Sequence, residues 1–179
     1  MSKQTEIRLT GSGGQGIILA GIILAEAAIG EGNNAIQSQS YGPEARGGAS
    51  KAEVIISSKE IHFPKVQKPN YLLALTQIAA DKYLQGLDDS VVVIVDSAIK
   101  VPSTIKAKEV ISIPILKTAT DVIGKSIVGN IIAVGAIAEI TGVVSREAVE
   151  NAVLSRVPKG TEDLNKTALE EGYKLALNR

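Results

Sequence analysis

Cysteine is absent from the 179-residue sequence, and sulfur appears only in one methionine. The chain can therefore form no disulfide and can offer no thiolate to an iron–sulfur cluster or to the usual structural zinc sites. Any redox or metal centre that it serves must be held by another molecule. Histidine is nearly absent as well, since His62 is the only one. A lone histidine ahead of Phe63-Pro64 is expected to anchor a turn and not to join a metal cluster. An excess of one charge is missing too, with 19 basic against 19 acidic residues. Such a balance gives no electrostatic footprint for nucleic acid or for an anionic membrane. Long hydrophobic runs are also lacking. The most apolar stretch, Ile127 to Val144, contains Asn130, Glu139 and several glycines, whereas a membrane-crossing helix needs about 20 mostly apolar residues. It is expected to be a core helix. The first residues, MSKQTEIRLTGSGG, show no apolar run followed by a small-residue cleavage site, so a cytoplasmic protein is expected.

What is present suffices for one sizeable core, because 45% of the residues are hydrophobic. A single domain spanning residues 1–179 is expected. Glu6 to Thr10 reads as a strand, followed by the glycine-rich turn Gly11 to Gly16 and an apolar helix from Gln15 to Ile29. Further strands are expected at Ala35 to Gln39, Lys51 to Ser57, Tyr71 to Thr76, Val91 to Asp96 and Glu109 to Pro114. The β-branched run VVVIVD suits a strand covered on both faces. Glu60 to Phe63 reads as a return strand pairing with 51–57 across Ser58-Lys59. Helices are expected at Gln77 to Leu84, Lys117 to Ile123, Val128 to Ile140, Ser145 to Val153 and Glu162 to Leu177, with Ser145 as an N-cap and Gly142 as a terminator. Strands interleaved with helices define an α/β fold: three layers, a mostly parallel sheet flanked by helices, a Rossmann-like first βα unit and a β-hairpin insertion.

Two of the helices are apolar nearly all the way round. IILAGIILAEAA has Glu26 as its only charge, and IVGNIIAVGAIAEI repeats the pattern. A helix on the surface of a monomer shows a polar face. The first helix is thus either sandwiched within the domain or covered by another subunit, and two such helices together point towards an interface.

Two loops can carry chemistry. Gly11, Gly13 and Gly16 have the G-x-G-x-x-G spacing, with Gly14 and Gln15 between them, after a strand and at a helix start. Glycines there permit a tight turn and close approach of a phosphate to the free N–H groups of the helix. The second expected strand ends in Gln37 and Gln39, not in the acidic residue that dinucleotide binding wants, which weakens that assignment. On spacing alone, an anion-binding loop and a loop that only allows close packing stand at even odds. The second segment, Tyr41, Gly42, Pro43, Glu44, Ala45, Arg46, Gly47 and Gly48, sets one guanidinium on a loop stiffened by proline. Arg46 can clamp a carboxylate or phosphate. It can equally pair with Glu44 or fix a subunit contact, and spacing alone favours that. Asp96 and Asn130 are best taken as caps of the segments that follow them. No paired carboxylates, Ser/His/Asp set or H-E-x-x-H spacing occurs, so no self-sufficient catalytic site is visible and no catalytic or metal-binding residue is assigned.

Taken together, GSGGQGIILAGIILAEAA at 11–28, SYGPEARGGASKAEVIIS at 40–57, IHFPKVQKPNYLLAL at 61–75 and GNIIAVGA at 129–136 resemble the γ subunits, or γ domains, of 2-oxoacid:ferredoxin oxidoreductases. Within that family, SYGPEARGG is most similar to the 2-oxoglutarate or branched-chain type. The resemblance implies a non-catalytic γ subunit of a complex that decarboxylates a 2-oxoacid, passes two electrons to ferredoxin and delivers the acyl group to coenzyme A. Thiamine diphosphate, magnesium and iron–sulfur clusters would then sit in partner α, β and ferredoxin-like δ subunits, with no cofactor held by this chain alone. The isolated chain can also be expected to pair with itself as a homodimer. The resemblance further implies that the two loops shape part of the coenzyme A or active-site entrance. The rival expectations are a stand-alone nucleotide- or flavin-binding oxidoreductase and a plain interaction module.

Overall fold

Alternation of side chains along the strands decides which of them lie deep in the sheet. The computed structural model describes residues 4–40 and 48–179. In chain order its elements are β1 (Thr5–Ser12), α1 (Ile17–Gly30), β2 (Asn34–Gln39), β3 (Ala49–Ser57), β4 (Tyr71–Ala74), α2 (Gln77–Tyr83), β5 (Val92–Asp96), β6 (Glu109–Ile113), α3 (Ile115–Lys117), α4 (Gly129–Thr141), α5 (Arg146–Arg156) and α6 (Glu162–Leu177). In β5, Val92 and Ile94 point into one apolar cluster while Val93 and Val95 point into another. Both faces of this strand are covered, as its unbroken β-branched sequence requires.

The strands form one six-stranded sheet in the order β2-β3-β1-β4-β5-β6. β1, β4, β5 and β6 are mutually parallel, with Leu9 opposite Leu73 and Leu73 opposite Ile94. β3 runs antiparallel to both β1 and β2, so β2 runs with β1 and only β3 is reversed. One layer holds α1, α4, α5 and α6 over the larger cluster. The other holds α2 together with Ile99, Val101 and Ile105 of the segment before β6.

One expectation needs correction. Glu60 to Phe63 forms no strand, and His62 and Phe63 are exposed. The reason is that both edges of β3 are already taken, by β1 and by β2. The antiparallel insertion is therefore the β2–β3 pair. Most of the apolar surface of the two helices is sandwiched within the domain, while on α1 Ile18 and Ile22 stay half-buried and Ile29 is exposed. α1 buries Ile17, Ala20, Gly21, Ile23, Leu24, Ala25, Ala27 and Ala28 within the domain. Its Glu26 pairs with Arg156 of α5, and Glu31, just past its end, accepts from the N–H of Ser145 at 3.1 Å. α4 is buried without a break from Gly129 to Ala138. It lies against α6 so closely that a Cβ on Gly135 would come 2.6 Å from the Leu169 carbonyl oxygen.

Caps behave as their chemistry dictates. The N–H of Ala148 donates to the Ser145 hydroxyl at 3.2 Å, and Gly142 ends α4 at φ 60°. After β6, the helical segment starts at Ile115 and widens into a π-helical turn over Thr118–Val122, in which the Ile123 N–H reaches back to the Thr118 carbonyl at 3.1 Å. Such turns are rare and cluster near functional surfaces. No helix among the described residues is long and apolar enough to cross a membrane.

Candidate functional site

β1 and β4 are adjacent and parallel, yet the helices that follow them leave to opposite layers, α1 to the larger cluster and α2 to the smaller. Open α/β sheets bind ligands where neighbouring connections part in this way, at the carboxyl ends of the strands. The glycine loop sits there. A crevice of about 510 Å³ is bounded by Gly14, Gln15, Leu75, Leu116, Ile127 and Asn130, a size in the range of small-molecule sites. A larger hollow of about 670 Å³ lies between the end of α2 and residues 102–106. It holds none of the site residues expected from the sequence, and the switch-point position argues for the crevice.

The loop is shaped by its own residues. Gln15 folds back so that its Oε1 accepts from the Ser12 N–H at 2.7 Å, and the Gln15 N–H donates to the Ser12 carbonyl at 3.2 Å. A Cβ on Gly11 would lie 2.6 Å from Gln15 Oε1, so a side chain there would displace the Gln15 carboxamide from its place over the loop. Gly14 and Gly16 have φ of 88° and 72°, left-handed values that side chains oppose. Gly14 has nothing within 4 Å of where its Cβ would be and is exposed, so an approaching molecule can come close to the backbone there. Gly16 is the N-cap of α1, with no side-chain cap and no acidic residue in the first turn. Gly13 is half-buried beside them.

Asn130 is the residue whose role the sequence does not disclose. It does not cap α4, whose N-cap Val128 is unaided by any side chain. Its Nδ2 instead donates to the Gly16 carbonyl at 3.4 Å, and a Cβ on Gly16 would run into the Asn130 amide. Asn130 is 6% exposed. The only trace of this in the sequence is a polar residue at the head of an otherwise apolar helix. Asp96 does act as a cap: its two carboxylate oxygens accept from the N–H groups of Ala98 at 3.0 Å and Leu116 at 2.8 Å. It thereby ties the end of β5 to the start of α3 on the far wall of the crevice.

Of the second loop, Gly48 is half-buried and leads into β3. Tyr41, Gly42, Glu44, Arg46 and Gly47 lie outside the described residues. β2, which precedes that loop, runs in the same direction as β1 and ends at Gln39, level with Leu9 in the sheet register. Among the described residues no group of three or more histidine, cysteine, aspartate or glutamate side chains is placed to hold a metal ion.

The fold and site define a small α/β protein with a glycine-lined crevice at the switch point of its sheet, with no cysteine of its own for electron transfer. Residues 6–175 match the family described as pyruvate ferredoxin/flavodoxin oxidoreductase. The 2-oxoglutarate synthase subunit KorC of Methanocaldococcus jannaschii is 50% identical over 176 residues, covering 96% of this chain and 93% of that one. The pyruvate synthase subunit PorC of the same organism is 32% identical over 177 residues, covering 97% and 98%. The crystal structure of the γ subunit of a keto/oxoacid ferredoxin oxidoreductase from Geobacter sulfurreducens PCA superposes with a TM-score of 0.86 at 50% identity, covering 98% and 99%. The chain belongs to this family, as a γ subunit of a 2-oxoacid:ferredoxin oxidoreductase, and is part of an enzyme without being catalytic itself.

Proposed function

We propose that the chain, acting as one γ domain over residues 1–179 in the cytoplasm, is the γ subunit of a 2-oxoglutarate synthase. The observation that carries the substrate is the gap in identity: 50% to a 2-oxoglutarate synthase subunit against 32% to a pyruvate synthase subunit of the same organism. The complex would convert 2-oxoglutarate, coenzyme A and two oxidised ferredoxins into succinyl-CoA, carbon dioxide, a proton and two reduced ferredoxins. Thiamine diphosphate supplies the chemistry of decarboxylation when bound, and the fit of that group, of magnesium and of iron–sulfur clusters is to partner subunits. A cysteine-free chain has no thiolate to ligate a cluster.

The contribution of this chain is binding and shape. We assign to this role Gly14 and Gln15, which line the crevice, with Gly11, Gly13 and Gly16 shaping the same loop, and from the Tyr41 to Gly48 segment Arg46 as a guanidinium for the phosphates of coenzyme A. The partners are α and β subunits, a ferredoxin-like δ subunit and ferredoxin as acceptor. The test is a panel of 2-oxoacids offered to the assembled complex, with and without Arg46→Ala. Highest turnover with 2-oxoglutarate and a raised KM for coenzyme A in the variant support the proposal. Faster turnover of pyruvate or a branched 2-oxoacid overturns the substrate, and an unchanged KM overturns the role of Arg46.

A further inference from the structure

We infer that the outer edge of β2 seats a second copy of this chain, joined antiparallel about a two-fold axis through Ile36. β2 closes one end of the sheet, with β3 on its inner side and no described strand on the other. Across the β2–β3 ladder the Ser40 N–H donates to the Lys51 carbonyl at 3.4 Å. Inward bonds alternate along an antiparallel strand, so Ser38, Ile36 and Asn34 also turn their backbone groups towards β3. Ala35 and Gln37 therefore turn theirs outwards, where neither bonds a described residue. An open edge is a template for another strand, and proteins that keep one free blunt it with charge, proline or a bulge. NAIQSQ carries no charge and no proline, and its register with β3 is unbroken from Asn34 to Gln39. β6, at the other end of the sheet, is guarded by Lys106, Lys108 and Glu109, with Pro114 beyond it.

The edge is complementary to itself. With the axis on Ile36, Ala35 of each copy meets Gln37 of the other, and every such pair exchanges both of its N–H···O bonds. Ile36 then meets its own counterpart as a non-hydrogen-bonded pair, the closest approach an antiparallel ladder offers, about 4.5 Å between Cα atoms. Gln37 faces α1, since a Cβ on Gly21 would lie 3.4 Å from its Cγ, so Ile36 faces the other side of the sheet. There the two isoleucines form a β-branched pair of the kind that stabilises sheets, and Asn34 falls opposite Ser38 as a hydrogen-bonding pair. No like charges meet, because the strand has none and the formal net charge of the chain is zero. Apolar surface lies alongside: Ile29, 57% exposed, and the half-buried Ile36 and Ile61 border a hollow of about 360 Å³ at this edge. Such a contact uses the same patch on both copies and closes at a dimer.

The absence of cysteine makes the test specific, since an introduced thiol is the only one in the chain. Ile36→Cys puts two thiols at the axis with Cα atoms about 4.5 Å apart, within the span of a disulfide, whereas Ser38→Cys holds them about 14 Å apart, beyond it. Under mild oxidation of the full-length chain, Ile36→Cys is expected to form a disulfide-linked dimer at least about tenfold faster than Ser38→Cys. Equal rates, faster linkage by Ser38→Cys, or no linkage by Ile36→Cys overturn the inference. Sedimentation of the wild-type chain across a concentration series is a second measurement that needs no variant: a shift from monomer to dimer is expected, and a monomer throughout contradicts the inference. Ala35→Pro removes an outward N–H that β3 does not use, so this variant, once shown to be folded, should stay monomeric, and a persisting dimer again overturns the inference. In the assembled complex, Ile36→Cys should link two copies of this chain. A disulfide to a different subunit would show that a partner's strand takes the edge, and would overturn the choice of occupant.

Discussion

Gly16 and Gly14 make a natural pair for testing the loop residue by residue. Both have positive φ, at 72° and 88°, but only Gly16 has a neighbour where its Cβ would go, the Asn130 amide. Gly14→Ala is expected to cost about 1 kcal/mol, the conformational term alone. Gly16→Ala adds the displacement of a buried side chain and is expected to cost roughly 2–4 kcal/mol. Chemical denaturation of the two variants measures the difference, and equal losses would show that Asn130 does not bear on Gly16. Tyr173 offers a test by pH. Its hydroxyl is buried with no protein partner among the described residues, and the Arg146 guanidinium lies 4.4 Å from its ring centre. Burial pushes the phenol up to about 12, from an ordinary value near 10. The folded state therefore holds this proton more tightly than the unfolded chain. The stability this contributes is complete below about pH 10 and is lost as the pH rises from there to about 12, by roughly 2 kcal/mol. Tyr173→Phe should flatten that alkaline limb, and unfolding curves between pH 9 and 12 decide it.

At the scale of elements, the crossing of α4 and α6 brings two backbones into direct contact. A Cβ on Gly172 would strike the Ile132 carbonyl and lie 2.9 Å from the Ala136 nitrogen. Backbone cannot yield as a flexible side chain can, so Gly172→Ala should force the helices apart at a cost of about 3 kcal/mol or more. Gly30→Ala, in a helix position with nothing within 4 Å, should be neutral or gain up to about 1 kcal/mol. Loss of similar size in both would contradict the crossing. Asp96→Ala tests the link between β5 and α3. It leaves the N–H groups of Ala98 and Leu116 without their acceptor, at an expected cost of about 2–4 kcal/mol in thermal or chemical unfolding.

These same elements show what a sequence discloses. The strands and most helices are legible because local periodicity and caps, such as Ser145 and Gly142, decide them. The return strand at 60–63 fails because whether β3 has an open edge depends on β1 and β2, which no local pattern reports. The same holds for α1 and α4. All-round apolarity states that a helix is covered, and only the packing states by what. In the site, the glycine loop stands out by its spacing, while the Asn130 contact spans 114 residues and is visible only in three dimensions.

For the whole molecule, burial of α4 and of most of α1 inside the domain weakens one reason for thinking that the chain needs companions. What remains is stronger: membership of a family of oxidoreductases, close likeness to subunits of such enzymes, and the absence of every cysteine. The surface still offers apolar side chains near the crevice, with Val122 65% and Ile127 80% exposed. The most direct measurement is to purify the chain from its native cell under gentle conditions and assay every fraction that contains it with 2-oxoglutarate, coenzyme A and ferredoxin. The account predicts that it elutes in fixed ratio with thiamine-diphosphate and iron–sulfur subunits, and that ferredoxin reduction follows that peak and vanishes from the chain alone. A lone chain that turns over substrate unaided would contradict it.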